Sequence, residues 1–400
     1  MWLGCHNSAL AYLEKKEAIG MIIKNGKIFS ENGQFQNGFI VVENEKIKDV
    51  IYEDIYEKAC ENEEVIDADG LYVIPGFVDI HFHGCVGYDF CDGTEEAFDA
   101  IAKYQAENGV TSISPATMTL SREELKRIFT EAGKYQNETG STIRGITMEG
   151  PFVSMAKKGA QNGAYIHKPD VNFYREMQSL SGNLIKQVAV APEEDEDFAF
   201  IKEISQETVI SVAHTISDYD TAKMAFACGS THVTHLFNAM MPFGHRDPAV
   251  VGAAFDHKKV YVELICDGIH IHPSMVRAMF QLFGPERICM ISDSMMATGM
   301  PNGEYSLGGQ AVNVVGKKAT LADGTIAGSA SNLYDCFKTA VLEMGSPLES
   351  AVKASTITPA KSLGLEKDCG SITIGKTADF VLLDEKLSIR KVIKDGIVIR

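Results

Sequence analysis

Val73-Ile74-Pro75-Gly76-Phe77-Val78-Asp79-Ile80-His81-Phe82-His83-Gly84 is an apolar, β-branched run that ends in two histidines one residue apart, followed at once by glycine. Taken as a strand, the run alternates its side chains, so His81 and His83 point to the same face. Two imidazoles on one face at the end of a strand suit a metal ion better than they suit a core. Whether this is an isolated feature depends on how often the pattern recurs.

It recurs along the whole centre of the chain. Strand-like runs cover residues 71–80, 112–116, 142–149, 185–192, 208–215, 231–238, 260–267 and 287–293. Helical stretches lie between them. Residues 94–108 place Phe98, Ile101, Ala102 and Gln105 on one face, and residues 121–135 open with Ser-Arg-Glu-Glu, a capping-box pattern. Eight strands interleaved with helices over about 290 residues predict an α/β fold, a (β/α)8 barrel of the TIM type. A doubly wound open sheet is the runner-up, but no GxGxxG dinucleotide fingerprint occurs.

The two ends of the chain have a different texture. Met21-Ile22-Ile23-Lys24-Asn25-Gly26-Lys27-Ile28-Phe29 reads as a hairpin about Asn25-Gly26, and residues 39–47 repeat the theme. Residues 378–383 and 392–399 do the same at the far end, with Asp395-Gly396 as the turn. These short strands predict a small β-sandwich domain built from residues 21–73 and 367–400, flanking a barrel of residues 74–366. Residues 1–20 fit neither pattern and are expected to be an extension outside the fold.

Composition sets the outer bounds. A formal charge of −17 on 400 residues argues against nucleic acid or an anionic membrane as the main partner. It leaves room for an anionic small substrate, because a local Arg or His can invert the field within one cleft. The nine cysteines are scattered without a CxxC, and several sit in apolar runs such as Arg287-Ile288-Cys289-Met290-Ile291. That pattern reads as reduced, buried thiols; Cys85, beside His83, is read as packing rather than as a ligand. No apolar stretch reaches the ~20 residues that cross a bilayer. The first residues lack the basic and apolar segments of a signal peptide, so a cytoplasmic location is expected.

In a barrel the chemistry lies at the carboxyl ends of the strands. Those ends carry His81 and His83, then Glu149, His214 and His235, then Asp267 with His270 just beyond, and finally Asp293. One polar strand end is ordinary; this many metal-type ligands in corresponding places predict a metal centre.

With those residues goes a resemblance. Pro75-Gly76-Phe77-Val78-Asp79-Ile80-His81-Phe82-His83-Gly84, Met148-Glu149-Gly150-Pro151-Phe152, Lys158-Gly159-Ala160-Gln161 and Ala213-His214-Thr215 belong to it. So do Thr234-His235-Leu236-Phe237-Asn238-Ala239-Met240, Asp267-Gly268-Ile269-His270, Ser292-Asp293, and residues 323–329. Gly375-Lys376-Thr377-Ala378-Asp379-Phe380-Val381 is widespread among amidohydrolases and says little of substrate. From about Met21 onward the chain resembles the N-acetylglucosamine-6-phosphate deacetylase family of the amidohydrolase superfamily.

The resemblance implies a metal held by Glu149, His214 and His235, a second ion at His81 and His83 bridged through Glu149, and Asp293 as a further metal ligand. One or two divalent ions per chain are implied, zinc or iron(II). Many other amidohydrolases bridge their ions with a carboxylated lysine on the fourth strand; Gln187-Val188-Ala189-Val190-Ala191-Pro192 offers none. The implied reaction converts N-acetylglucosamine 6-phosphate to glucosamine 6-phosphate and acetate. Asp293 takes a proton from water and passes it to the leaving nitrogen. Arg246 and His270 are the candidates for the phosphate, arginine because its planar fork donates two parallel hydrogen bonds. In the family the matching arginine reaches the neighbouring subunit's site, which implies a homodimer. Asn238 and Ala239 lie near the phosphate. Ala160, Gln161, Ile326, Ala327 and Gly328 line the sugar, and Asp267, Gly268 and Ile269 complete the expected substrate contacts. The alternatives are the galactosamine epimer and, further off, a cyclic amide.

Overall fold

A computed structural model describes residues 20–52, 64–136 and 140–400. The expected extension at residues 1–20 lies outside the described residues except for Gly20, as do Cys5 and Cys60.

The centre of the molecule is mixed α/β with parallel strands in two segments. The first runs in the order Thr142–Ile143, Val110–Ile113, Phe77–Asp79. The second runs Ile146–Met148, Ile185–Val190, Val209–Val212, His232–Val233, Tyr261–Ile265, Ile288–Ile291. A parallel bridge between Ala116 and Thr147 links the two. On the other side Asp293 N donates to His81 O at 3.0 Å and His83 N donates to Ser294 O at 2.7 Å. These strands are almost wholly buried, as expected of parallel strands covered by helices.

The helices follow their sequence signals. Glu95–Glu107 starts behind Thr94, whose hydroxyl accepts from Ala97 N, and buries Phe98, Ile101, Ala102 and Gln105. Arg122–Lys134 carries a capping box: Ser121 Oγ accepts from Glu124 N while Glu124 returns the bond to Ser121 N.

The strand expected over residues 71–80 is two strands. Tyr72–Pro75 belongs to a second sheet and Phe77–Asp79 to the parallel segment, with Gly76 between them. A Cβ on Gly76 would collide with the Thr111 side chain, so glycine lets the chain pass from one sheet to the next. That second sheet runs Ile397–Val398, Ile389–Lys394, Phe380–Leu383, Tyr72–Pro75, Met21–Phe29, Phe35–Glu43, Lys46–Ile51, with Glu64–Asp67 also on Met21–Phe29. Its core includes Met21, Ile23, Ile40, Val42, Phe380 and Ile393.

Asn25-Gly26 does not make the expected hairpin. Met21–Phe29 is one continuous strand, with Asn25 at φ 58° and a register shift between Ile23 and Gly26: a bulge. The turn comes later, where Gly33 N donates to Ser30 O. Asp395-Gly396, with φ of 51° and 74°, does turn a hairpin. Two elements have no counterpart in the expectations: a short antiparallel pair of Gly84–Cys85 and Tyr88–Asp89, and an antiparallel sheet of Gly303–Leu307, Gln310–Val315 and Lys318–Thr320. No described helix is long and apolar enough to cross a membrane. The seven described cysteines are free, and five of them are buried.

Candidate active site

The polar residues expected at strand ends stand just beyond them. The first strand stops at Asp79 rather than running on through the histidines, because Asp79 turns its carboxylate back: it accepts from Ser292 Oγ at 2.5 Å and from His81 N at 3.3 Å. His214, His235 and Asp293 follow strands that end at Val212, Val233 and Ile291. All three are in the left-handed region, with φ of 43°, 28° and 50°. A side chain there costs of order 1–3 kcal/mol, and such strain concentrates at functional sites. Here it accompanies the turn that brings each side chain across the carboxyl ends of the strands.

The result is two buried groups, His81–His83–Asp293 and Glu149–His214–His235, each with its ligand atoms within 4.8 Å of one another. Glu149 joins them. Its Oε1 lies 3.2 Å from His214 Nε2, 3.1 Å from His235 Nε2 and 3.5 Å from His81 Nε2; its Oε2 lies 3.5 Å from His83 Nε2. Asp293 Oδ1 is 3.3 Å from His83 Nε2. Burial opposes charge on Glu149, but His81, His214 and His235 outweigh it and hold the carboxyl well below the usual range. Asp293 is likewise lowered, its burial outweighed by His83. Burial disfavours the His81 cation, yet Glu263 and Glu149 push its pKa up to about 10.

The donor set fits a divalent cation. His214 Nδ1 faces the Lys157 carbonyl at 2.8 Å, so it donates there and leaves a lone pair on Nε2. That nitrogen stands 3.1 Å from His235 Nε2. Nitrogens this close, facing a carboxylate, need a proton or a cation among them. His81 Nε2 is buried without a hydrogen-bond partner. Imidazole nitrogens and carboxylate oxygens together suit a first-row divalent metal.

All of these residues but His81 line a cavity of about 370 Å³. The structure brings Ala160, Gln161, Asn238, Ala239, His270, Ile326 and Gly328 to its walls along with the cluster. Gln161 bonds the cluster itself: its Nε2 donates to Glu149 Oε2 at 2.7 Å and its Oε1 accepts from Thr119 N at 2.7 Å. Ala327 is buried behind the lining. Asp267, Gly268 and Ile269 are also off the lining. Asp267 Oδ2 accepts from His270 Nδ1 at 2.8 Å and from Ser329 Oγ at 3.2 Å, and so sets the ring that does face the cavity. Arg246 stands apart, exposed on the loop of residues 241–248 and outside the lining.

Sequence reasoning missed three kinds of residue. Met118, Gly159 and Thr325 line the cavity from loops, and Ala156 and Lys157 from a single 3-10 turn, all without a periodic signal. Leu307 comes from the unexpected antiparallel sheet, whose signal was Gly308-Gly309 between alternating runs. Glu263 lies behind the cluster, touching His81 Nδ1 at 3.0 Å; it could have been found as the lone acid in the apolar strand Tyr261–Ile265.

Comparison with known proteins places this geometry. The model of the amidohydrolase family matches residues 72–399. N-acetylglucosamine-6-phosphate deacetylase of Bacillus subtilis is 35% identical over 372 residues, covering 92% of this chain and 93% of that protein. The chain belongs to the N-acetylglucosamine-6-phosphate deacetylase family of the amidohydrolases. The human deacetylase is 30% identical over 92% of this chain and 91% of its own. Among solved structures, a variant deacetylase of Mycobacterium smegmatis in complex with N-acetyl-D-glucosamine 6-phosphate superposes with a TM-score of 0.87. It is 30% identical and covers 94% of this chain and 98% of its own.

Proposed function

We infer that the chain hydrolyses the acetamide of N-acetyl-D-glucosamine 6-phosphate, giving D-glucosamine 6-phosphate and acetate. The observation that carries this is the convergence of His83, Glu149, His214, His235 and Asp293 on one cavity, with His81 buried directly behind them, in a chain of this family. Glu149, His214 and His235 would hold one divalent ion, and His81, His83 and Asp293 a second, either zinc or iron(II). An ion in that position polarises the amide carbonyl and makes water a stronger acid.

The chain's own groups do the rest. Asp293, kept ionised beside His83, accepts a proton from the attacking water at its carboxylate and delivers it to the departing nitrogen. Glu149 stays a carboxylate and joins the two histidine groups. Gln161 fixes the Glu149 oxygen that faces His83, and reaches the sugar. Ala160, Ile326, Ala327 and Gly328 shape the sugar site, while Asp267, Gly268 and Ile269 build the turn that presents His270. His270, Asn238 and Ala239 receive the phosphate. Arg246, exposed here, is read as completing that phosphate site in a neighbouring subunit of a homodimer.

We read the two parallel segments as one closed (β/α)8 barrel of residues 74–366. The bonds across Ala116–Thr147 and Asp293–His81 support closure. Residues 21–73 and 367–400 are read as the accompanying β-sandwich domain. The free thiols and the absence of a spanning helix among the described residues accord with a cytoplasmic enzyme.

The test is acetate release from N-acetylglucosamine 6-phosphate and its galactosamine epimer, alongside ring opening of a dihydropyrimidine. The gluco substrate should turn over fastest. Faster turnover of the epimer would reassign the sugar, and activity on the cyclic amide alone would overturn the reading.

A further inference from the structure

One carboxylate has no place in the chemistry above. Glu263 sits mid-strand in Tyr261–Ile265 and is fully buried. Its Oε2 accepts from His81 Nδ1 and from the His235 backbone N–H, each at 3.0 Å. Its Oε1 accepts from Gln187 Nε2 at 2.8 Å, and His232 Nε2 lies 3.4 Å away. Both oxygens therefore face donors, a demand that an ionised carboxylate meets and a primary amide meets only if a neighbour turns round. Burying a charge among apolar strands is costly unless its hydrogen bonds are made, and these bonds reach one member of each histidine group.

The consequence for His81 is a matter of tautomer. With Nδ1 donating to Glu263, the lone pair of the neutral ring is on Nε2. That nitrogen faces Glu149 Oε1 at 3.5 Å and Asp293 Oδ1 at 3.9 Å. The consequence for His235 is backbone: the bond from Glu263 is made at the residue whose φ is 28°.

We propose that Glu263 is a positioning residue for both histidine groups, holding the His81 ring with Nε2 open to a cation and pinning the strained turn that aims His235. Carboxylates behind metal-bound histidines act in this way, and removing one costs about 10- to 100-fold in metal affinity. The inference rests on the metal reading above.

Zinc stoichiometry and competition with a chromophoric chelator test it on the full chain, comparing wild type, Glu263→Met and Glu263→Gln. The methionine variant fills the space without an acceptor and should bind its weaker zinc about 10- to 100-fold less tightly. The glutamine variant keeps an acceptor toward His81 while the Gln187 amide turns to meet it, and should recover most of that loss. Equal affinities in wild type and the methionine variant, or no recovery with glutamine, would overturn the proposal. If the methionine variant does not fold, nitrogen-15 NMR of the zinc-loaded wild type decides. The His81 ring proton must sit on Nδ1, hydrogen-bonded and slow to exchange; a proton on Nε2 overturns the proposal. A wild type that takes up neither zinc nor, anaerobically, iron(II) overturns the metal reading itself, a separate and visible result.

Discussion

The sheet formed by the chain ends and the parallel strands of the centre use left-handed backbone for opposite purposes. In the sheet formed by the chain ends, such residues turn hairpins or, at Asn25, make a bulge. Asn44 and Glu45 (φ 48° and 64°) join Phe35–Glu43 to Lys46–Ile51, and Asp395 and Gly396 join Ile389–Lys394 to Ile397–Val398. In the parallel sheet they are His214, His235 and Asp293, buried at the ends of strands. Small polar residues and glycine tolerate that conformation in a turn. Large buried side chains adopt it only where the surrounding structure holds them there. The same dihedral is therefore cheap architecture at one end of the molecule and a sign of function at the other.

Substitutions should separate the two regions by what they change. Asp293→Asn should lower kcat by about 10²- to 10⁴-fold, the usual worth of an acid–base group, while the chain keeps its fold by circular dichroism. Retention of kcat within tenfold would remove the proton-transfer role and weaken the contrast. Removing the first pair together, His81→Gln with His83→Asn, should bring metal content from two ions per chain to one before activity is abolished. Elemental analysis finding two ions in that variant would break the division into two groups.

Arg246→Ala reaches outside the cluster. Loss of a charge-assisted hydrogen bond should raise KM for the phosphorylated sugar by about 10- to 100-fold with much less effect on the unphosphorylated one. Equal effects on both would remove it from phosphate recognition. Gly396→Ala probes the other sheet. It forces a Cβ into a φ of 74°, with Val42 Cγ1 3.1 Å from it, and should cost about 1–2 kcal/mol in a denaturant titration while leaving kcat unchanged. A change in kcat there would mean that the two regions are not independent.

The difference between the regions also governs what could be read in advance. The cluster was visible because parallel strands are apolar runs, so a His, Glu or Asp at the end of each stands out and the topology gathers those ends. The helix cap at Ser121 was visible because capping is local. What escaped depends on partners that sequence spacing does not name. Asn25-Gly26 has the chemistry of a turn, but strands pair on both flanks of Met21–Phe29 and carry it straight on as a bulge. The run through Gly76 reads as one strand, yet its halves bond different sheets. Glu263 hides mid-strand because its meaning lies in His81 and His235, 182 and 28 residues away. Arg246 illustrates the converse: a residue expected to touch substrate stands exposed in the single chain.

The most direct test follows acetate release from N-acetylglucosamine 6-phosphate by protein stripped with a chelator and then reloaded with zinc or, anaerobically, with iron(II). Stripping should abolish turnover and one of the two ions should restore it, with at least one ion retained per chain after gel filtration. Undiminished turnover by protein free of metal on elemental analysis would contradict the metal reading.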